Sequence, residues 1–284
     1  MTSSVNTKIE GAIKLRDSSD SWKLDAELLL ANVMNSNRAN LLARPEQELT
    51  SEQEALFEKA LERRLQGEPV AYILGKKGFW DFELSVDKRV LIPRPETELL
   101  VERALICLQG REEEELELAD LGTGSGAIAI ALAKHSNNWR VIATDISTDA
   151  LDLARGNADS LNLKNIQFLK SSWCEQLYDS KFDIIVSNPP YVAPEDPHLQ
   201  QDGLNFEPTL ALVAEGTGLA ELSKIAQQTP IHFKENAWLL LEHSFQQASS
   251  VAALLEQNGF TEISCWQDLA GLDRVTSAQI SVDI

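Results

Sequence analysis

Apolar residues in the first part of the chain recur at intervals typical of helices. Two such series are Leu24, Ala26, Leu28, Leu29, Leu30 and Val33, and then Ala55, Leu56, Ala60, Leu61 and Leu65. Thr50, with Gln53 three residues later, is the pattern of a capping box and predicts a helix start. We therefore predict a helical bundle over residues 1–70, which is either a plain structural domain or a module that docks a partner.

From residue 71 the pattern changes to short apolar and aromatic runs between glycines. Residues 75–84 and 90–92 predict a β-hairpin or short strands over 71–92. Pro93 and Pro95 then stop any strand, and residues 96–108 predict a helix.

The remainder of the chain alternates between strand and helix patterns. Strands are predicted at 116–121, 141–144, 166–169, 182–186, 238–241, 262–266 and 275–281. Helices are predicted at 127–133, 148–161, 219–235 and 246–258, with a long polar loop over 188–216. Such alternation indicates an α/β domain whose mostly parallel sheet is covered on both faces.

Composition narrows the classes of function. The 284 residues suffice for two domains, and a net charge of −19 argues against direct binding of nucleic acid and favours a basic protein partner. Three scattered cysteines and four histidines without ligand spacing predict neither a disulfide framework nor a metal site. No apolar run is long enough for a membrane span and the start lacks the pattern of a signal peptide, so we expect a cytoplasmic protein.

A glycine-rich turn, Asp120-Leu-Gly-Thr-Gly-Ser-Gly126, lies between a predicted strand and a predicted helix. Glycines allow a sharp turn and a close approach of a ligand to the backbone. Asp145 ends the next strand, where a carboxylate can bind a ribose diol. The same spacing fits a dinucleotide fingerprint, so a nicotinamide oxidoreductase stays open. Asp120 favours S-adenosylmethionine, because a carboxylate attracts the ammonium of its methionine and repels a pyrophosphate.

A second motif, Asn188-Pro-Pro-Tyr191, directly follows the strand predicted at 182–186. The prolines remove two backbone donors, which leaves the side-chain oxygen of Asn188 and the carbonyl of Pro189 as acceptors. These two oxygens can accept both protons of one planar –NH2 group, and Tyr191 can lie against its flat face. The motif predicts a site for an amide or amine nitrogen that receives a methyl group.

Together the two motifs resemble the seven-stranded amino-methyltransferases that act on exocyclic or side-chain –NH2 groups. Further segments are similar to the bacterial release-factor glutamine methyltransferases: Gly67-Glu-Pro-Val-Ala-Tyr72, Leu91-Ile-Pro-Arg-Pro-Glu-Thr-Glu98, Asp196-Pro-His-Leu-Gln-Gln201, Phe206-Glu-Pro208, Leu240-Leu-Glu-His243 and Asp273-Arg-Val-Thr276. The resemblance implies a helical substrate-docking domain at 1–70, a β-hairpin linker at 71–92, and a Rossmann-like methyltransferase domain with a mostly parallel seven-stranded sheet at 93–284.

The resemblance also implies the reaction and the roles of residues. One methyl would pass from S-adenosylmethionine, leaving S-adenosylhomocysteine, to N5 of the glutamine in the Gly-Gly-Gln motif of peptide-chain release factors. The implied cofactor-binding residues are Asp120, Gly122, Thr123, Gly124, Ser125, Gly126, Asp145, Trp173 near the adenine, and Asn188. The implied substrate site is Asn188, Pro189, Pro190 and Tyr191, of which Asn188, Pro189 and Tyr191 act catalytically.

Several alternatives stay open at this point. Ser172 stands where many relatives carry an acidic residue, so Trp173 is either an adenine contact or core filler. Arg94 and Glu98 either flank the cofactor or form an (i, i+4) ion pair. The substrate could instead be a glutamine of a ribosomal protein. A nucleic-acid substrate also stays open, although the net charge of −19 disfavours it. A non-enzymatic binding module also stays open, and we expect a monomer.

Overall fold

The structure is a computed structural model that describes residues 4–17, 19–200 and 203–280. The chain divides into two compact units, Met1–Lys76 with Gln200–Phe206, and Lys77–Leu199 with Glu207–Ile284. No helix in the described part of the chain is long and apolar enough to cross a membrane.

The first unit is helical. Its helices are α1 (Val5–Gly11), α2 (Trp22–Val33), α3 (Arg38–Leu42), α4 (Ser51–Leu65) and α5 (Val70–Leu74), with a 3-10 turn at Ala12–Asp17. The capping box predicted at Thr50 and Gln53 is present at the start of α4. Leu30 and Phe57 lie in the apolar core. This unit includes α5 and extends to Lys76, whereas the predicted boundary lies at residue 70.

A two-stranded hairpin follows, formed by β1 (Lys76–Phe79) and β2 (Phe82–Ser85). The predicted strand at 90–92 is wrong, because these residues are irregular. The backbone N–H of Ile92 donates to Oε2 of Glu207 at 3.0 Å, so a carboxylate 115 positions later in the chain takes the place of a strand partner.

The second unit is built on a seven-stranded sheet. Its strands are β3 (Glu117–Leu121), β4 (Arg140–Asp145), β5 (Ile166–Lys170), β6 (Phe182–Ser187), β7 (Phe233–Glu242), β8 (Phe260–Gln267) and β9 (Asp273–Ile280). They lie in the order β5-β4-β3-β6-β7-β9-β8, in which β9 runs antiparallel to both its neighbours and the pairs from β5 to β7 are parallel. The predicted α/β fold class is confirmed.

Helices connect these strands. They are α6 (Thr97–Cys107), α7 (Ala127–His135), α8 (Thr148–Ser160), α9 (Thr209–Leu212), α10 (Ala220–Gln228) and α11 (Ala248–Gln257). The loop predicted at 188–216 contains α9 and two 3-10 turns at Pro197–Gln200 and Leu204–Phe206. Two predicted segments end outside the described residues, at Gln201 and at Ser281.

The predicted helix 219–235 is wrong in its second half. α10 ends at Gln228, a 3-10 turn covers Thr229–His232, and β7 already begins at Phe233. Pro230 cannot donate a backbone hydrogen bond, and the hydroxyl of Thr229 instead bonds back to the carbonyl of Ile225 at 2.8 Å. The next strand therefore starts five residues before its predicted position at 238.

Candidate functional site

A cavity of about 360 Å³ opens in the second unit beyond the carboxyl ends of its parallel strands. This is the edge at which open α/β sheets bind ligands, and the volume suits a small molecule. Residues singled out by the sequence that line it are Arg94, Gly122, Thr123, Gly124, Ser125, Asp145, Ser172, Trp173, Asn188 and Pro190.

The glycine turn between β3 and α7 has the predicted strand–turn–helix setting. The backbone N–H groups of Gly122 and Thr123 both donate to the carbonyl of Thr144 on β4, at 2.9 and 2.8 Å. Gly122 has a φ of +76°, and a Cβ there would lie 3.1 Å from Cζ3 of Trp173. The turn therefore needs glycine both for its backbone conformation and for its close approach to an aromatic ring.

Asp145 ends β4 and is held by two backbone donors. Its Oδ2 accepts from the N–H of Gly124 and its Oδ1 from the N–H of Ser147, both at 2.9 Å. Burial raises the pKa of this carboxyl, and the two N–H groups oppose that rise. Each oxygen retains lone-pair capacity for a further donor, so the group is fixed in direction and still able to bind a diol.

Asp120 is completely buried and does not reach the cavity wall. Its Oδ2 accepts from the hydroxyl of Thr123 at 2.6 Å and from the N–H of Ala129 at 3.1 Å, while Oδ1 has no partner among the described residues. Burial raises the pKa of this group to about 7. The contacts show that Asp120 braces the turn from behind the cavity wall, in place of the predicted direct contact with a ligand ammonium.

Trp173 lies at the cavity in a left-handed backbone conformation, with a φ of +51°. Its indole N–H donates to Oε2 of Glu221 at 2.8 Å, and Oε1 of Glu221 pairs with Lys224 at 2.7 Å. Both partners lie on α10 and line the cavity. Nothing in the sequence pattern distinguished Glu221 or Lys224 from surface charges.

The Asn-Pro-Pro-Tyr motif leaves the end of β6 with its residues in different environments. Asn188 and Pro190 line the cavity, whereas the side chain of Pro189 is buried. The Nδ2 of Asn188 donates to Oγ1 of Thr97 at 3.0 Å, which leaves its Oδ1 free to accept. The hydroxyl of Tyr191 donates to Oε1 of the buried Glu242 at 3.1 Å.

The backbone after this motif is clamped by a distant segment. The carbonyl of Tyr191 accepts from Nε2 of Gln247 at 3.1 Å. Val192 pairs with Val213 in a parallel bridge. Gly218 packs so closely that a Cβ on it would lie 2.2 Å from the Tyr191 carbonyl oxygen. The position of the motif therefore depends on segments roughly 20 to 60 residues away in the sequence. A local pattern of apolar residues does not reveal such contacts.

Arg94 and Glu98 do not form the (i, i+4) ion pair that was one of two interpretations. Arg94 donates to Oε1 of Glu207 at 2.6 Å, and the other oxygen of that carboxylate holds Ile92. Glu98 instead accepts from the backbone N–H of Trp80 in the hairpin turn, at 2.9 Å. Of the pair, only Arg94 faces the cavity.

The sequence of the chain is similar to those of known proteins. Two family models match, the PrmC N-terminal domain over residues 9–75 and the methyltransferase small domain over residues 97–204. The release factor glutamine methyltransferase of Yersinia pestis is 46% identical, over 93% of this chain and 94% of its own. The protein of the same name from Pseudomonas aeruginosa is 44% identical, over 92% and 94% of the two chains.

Solved structures agree on the fold. A methyltransferase from Pyrococcus furiosus is 16% identical with a TM-score of 0.52, covering 82% of this chain and all of that chain (100%). A T. thermophilus 16S rRNA N2 G1207 methyltransferase, solved in complex with AdoMet and guanosine, is 20% identical with a TM-score of 0.52, covering 72% of this chain and 49% of its own.

Proposed function

The chain belongs to the release factor glutamine methyltransferases, and from that premise we propose that it transfers a methyl group from S-adenosylmethionine to N5 of the glutamine in the Gly-Gly-Gln motif of peptide-chain release factors. One observation carries the proposal beyond the family name. Asn188 Oδ1 has no hydrogen-bond donor among the residues that the structure describes, and Asn188 lines the same cavity as the glycine turn and Asp145, so a cofactor and a planar amide can meet there.

The residues around the glycine turn fit the proposed cofactor. Gly122 leaves a cradle beside Trp173 that any Cβ would narrow, and Asp145 is oriented to accept the two ribose hydroxyls. Asp120 would support the same site from behind, because its carboxylate holds Thr123 and the backbone of Ala129. The bound cofactor would supply a sulfonium methyl that is already activated for transfer.

The amide site then has to orient a weak nucleophile. The lone pair of an amide nitrogen is delocalised into its carbonyl, and hydrogen bonds accepted from both N–H protons return electron density to the nitrogen. We assign these acceptor roles to Asn188 Oδ1 and the carbonyl of Pro189, with Pro190 and Tyr191 completing the site. Placement of this kind can supply roughly 7–11 kcal/mol of a barrier, so we propose no separate general base before methyl transfer. The nitrogen–methyl bond forms as the methyl–sulfur bond breaks, and the nitrogen then releases one of its two protons to solvent.

The parts outside the cavity are assigned by the same proposal. Residues 1–70 would dock the release factor, and residues 93–284 would carry the methyltransferase site. Residues 71–92 would link these two domains. A net charge of −19 supports a partner with a basic contact face and a role apart from direct nucleic-acid binding. We propose that the protein acts as a monomer in the cytoplasm, in the modification of translation termination factors.

The test is transfer of labelled methyl from S-adenosylmethionine to purified release factor, beside the same factor with its Gly-Gly-Gln glutamine changed to alanine. Label on the unchanged factor alone would support the proposed cofactor, the methyl-transfer reaction and the glutamine as the modified residue. Equal label on both factors would contradict the assignment of the residue. No label on either would contradict the substrate, and the ribosomal protein and then nucleic acid would be tried next.

A further inference from the structure

Trp173 forms part of the cavity wall, and a charged side chain from a distant helix holds its ring. Trp173 belongs to the loop after β5 and Asn188 to the loop after β6, with β4 and β3 between those two strands in the sheet. Trp173 therefore lies in the half of the cavity that contains the glycine turn and Asp145. An aromatic ring in that half can stack on a flat heterocycle of a ligand.

The backbone conformation at Trp173 is one that a bulky residue rarely adopts, with a φ of +51°. Residues in such conformations cluster at ligand sites, where the surrounding contacts hold them in place. One of these contacts is with Gly122, since a Cβ on that glycine would lie 3.1 Å from Cζ3 of the ring. The ring also packs against the apolar core of the second unit.

The polar contact of the ring is with Glu221 on α10. An indole N–H can only donate, and that of Trp173 donates to Oε2 of Glu221 at 2.8 Å. Oε1 of the same carboxylate accepts from Nζ of Lys224 at 2.7 Å, so each oxygen already has a donor. The side chain of Glu221 is only 19% exposed, which partly shields the bond to the indole from water. A bond to a carboxylate is stronger than one to a neutral acceptor, so it fixes the rotation of the ring.

Other indole groups of the chain are satisfied without a carboxylate. The N–H of Trp139 donates to the backbone carbonyl of Arg111 at 3.2 Å, and that of Trp266 donates to Oγ of Ser277 at 3.0 Å. Both of these tryptophans lie outside the cavity wall. Of these three tryptophans, Trp173 alone lines the cavity and alone has a charged acceptor, which points to a demand of the cavity beyond the satisfaction of one N–H group.

We propose that Glu221 is a positioning residue for the cofactor: its carboxylate holds the indole of Trp173 against the glycine turn, and the ring held in this way forms one wall of the S-adenosylmethionine site. The inference rests on the proposed function, because it takes the ligand of that half of the cavity to be the cofactor. It assigns Glu221 no contact with cofactor or glutamine. Loss of the carboxylate should therefore act on cofactor affinity and only through the ring.

The experiment measures the Kd of S-adenosylhomocysteine by calorimetry in wild type and four variants. Glu221→Ala should raise Kd roughly 10-fold, as for the loss of a hydrogen bond to a charged group. Glu221→Gln keeps an acceptor for the indole and should stay within about threefold of wild type. Trp173→Phe keeps a ring, removes the N–H and should raise Kd. The double variant of Glu221→Ala and Trp173→Phe should have the Kd of Trp173→Phe alone, because the carboxylate acts through the indole.

Methyl transfer to release factor supplies a second readout. Glu221→Ala should raise KM for S-adenosylmethionine roughly 10-fold and leave kcat at saturating cofactor within about twofold of wild type. Ser277→Ala is the matched control, because it removes the acceptor of an indole N–H outside the cavity. It should leave cofactor Kd, KM and kcat at their wild-type values.

Unchanged Kd in Glu221→Ala would overturn the inference. So would a double variant in which the two single effects on Kd add, because Glu221 would then act independently of the ring. Thermal unfolding shows which variants fold, and if Glu221→Ala does not, an unchanged Kd in Trp173→Phe would overturn the inference in its place. Wild type that binds the cofactor but labels no release factor would instead contradict the proposed function.

Discussion

Gly218→Ala should displace the amide site without touching the cofactor side of the cavity. The added Cβ would lie 2.2 Å from the carbonyl oxygen of Tyr191 and 2.8 Å from Nε2 of Gln247, which hydrogen-bonds that same oxygen. Real Cβ atoms essentially never approach closer than 3.0 Å, so the loop must move by an amount on the order of 1 Å. The change therefore acts on the backbone directly behind the Asn-Pro-Pro-Tyr motif.

Two effects contribute, and they can be separated. The left-handed φ of +81° at Gly218 makes alanine unfavourable by roughly 1–2 kcal/mol in stability, whatever the space around it. Displacement of a reacting group by about 1 Å can cost about 100-fold in rate, which corresponds to about 2.7 kcal/mol of activation free energy. Gly216 has a comparable φ of +65° with nothing within 4 Å of its Cβ position, so Gly216→Ala reports strain alone.

The assay measures kcat for methyl transfer at saturating cofactor and release factor, with thermal unfolding of each variant alongside. Both variants should lose stability, Gly218→Ala the more because of its overlap with Tyr191, and both should retain wild-type cofactor Kd; only Gly218→Ala should lose kcat on the order of 100-fold. Equal kcat in Gly218→Ala and Gly216→Ala would refute the reasoning, because the position of the Tyr191 carbonyl would then not control turnover.

Three other changes test the two sides of the cavity and its buried acids. Asn188→Ala should abolish most turnover in the labelled-methyl assay with cofactor Kd nearly intact, because it removes one amide acceptor; unchanged kcat would contradict the amide site. Asp145→Ala should weaken cofactor binding about 10- to 100-fold by calorimetry, since charge-assisted bonds to the ribose are lost; unaltered affinity would remove Asp145 from the site. Glu242 has a folded-state pKa raised from 4.5 to about 7, so its contribution to stability is present below about pH 4.5 and is lost as pH rises through about 7. The free energy of unfolding of wild type minus that of Glu242→Gln should accordingly fall between pH 5 and 8 in urea titrations, and a pH-independent difference would contradict the raised pKa.

The sequence predicts well those features that depend on neighbours along the chain. The alternation of apolar runs predicted the strands of the parallel part of the sheet, and β3, β4 and β5 begin or end within one residue of the prediction. The two ligand motifs are turns that directly follow strands β3 and β6, so their place at the carboxyl edge follows from the parallel topology alone. The helix predicted through Thr229 and Pro230 is wrong because a proline cannot continue a helix, whatever the apolar spacing around it.

The supports of the site were not predictable in the same way. Asn188 meets Thr97 across 91 positions in the sequence, and Arg94 meets Glu207 across 113. Such pairs depend on strand order and register, which short-range spacing does not encode. Glu207 and Glu242 both fall in segments on which the family resemblance rests. A match between segments does not say what a residue does, whereas the hydrogen bonds in the structure show which groups each carboxylate holds.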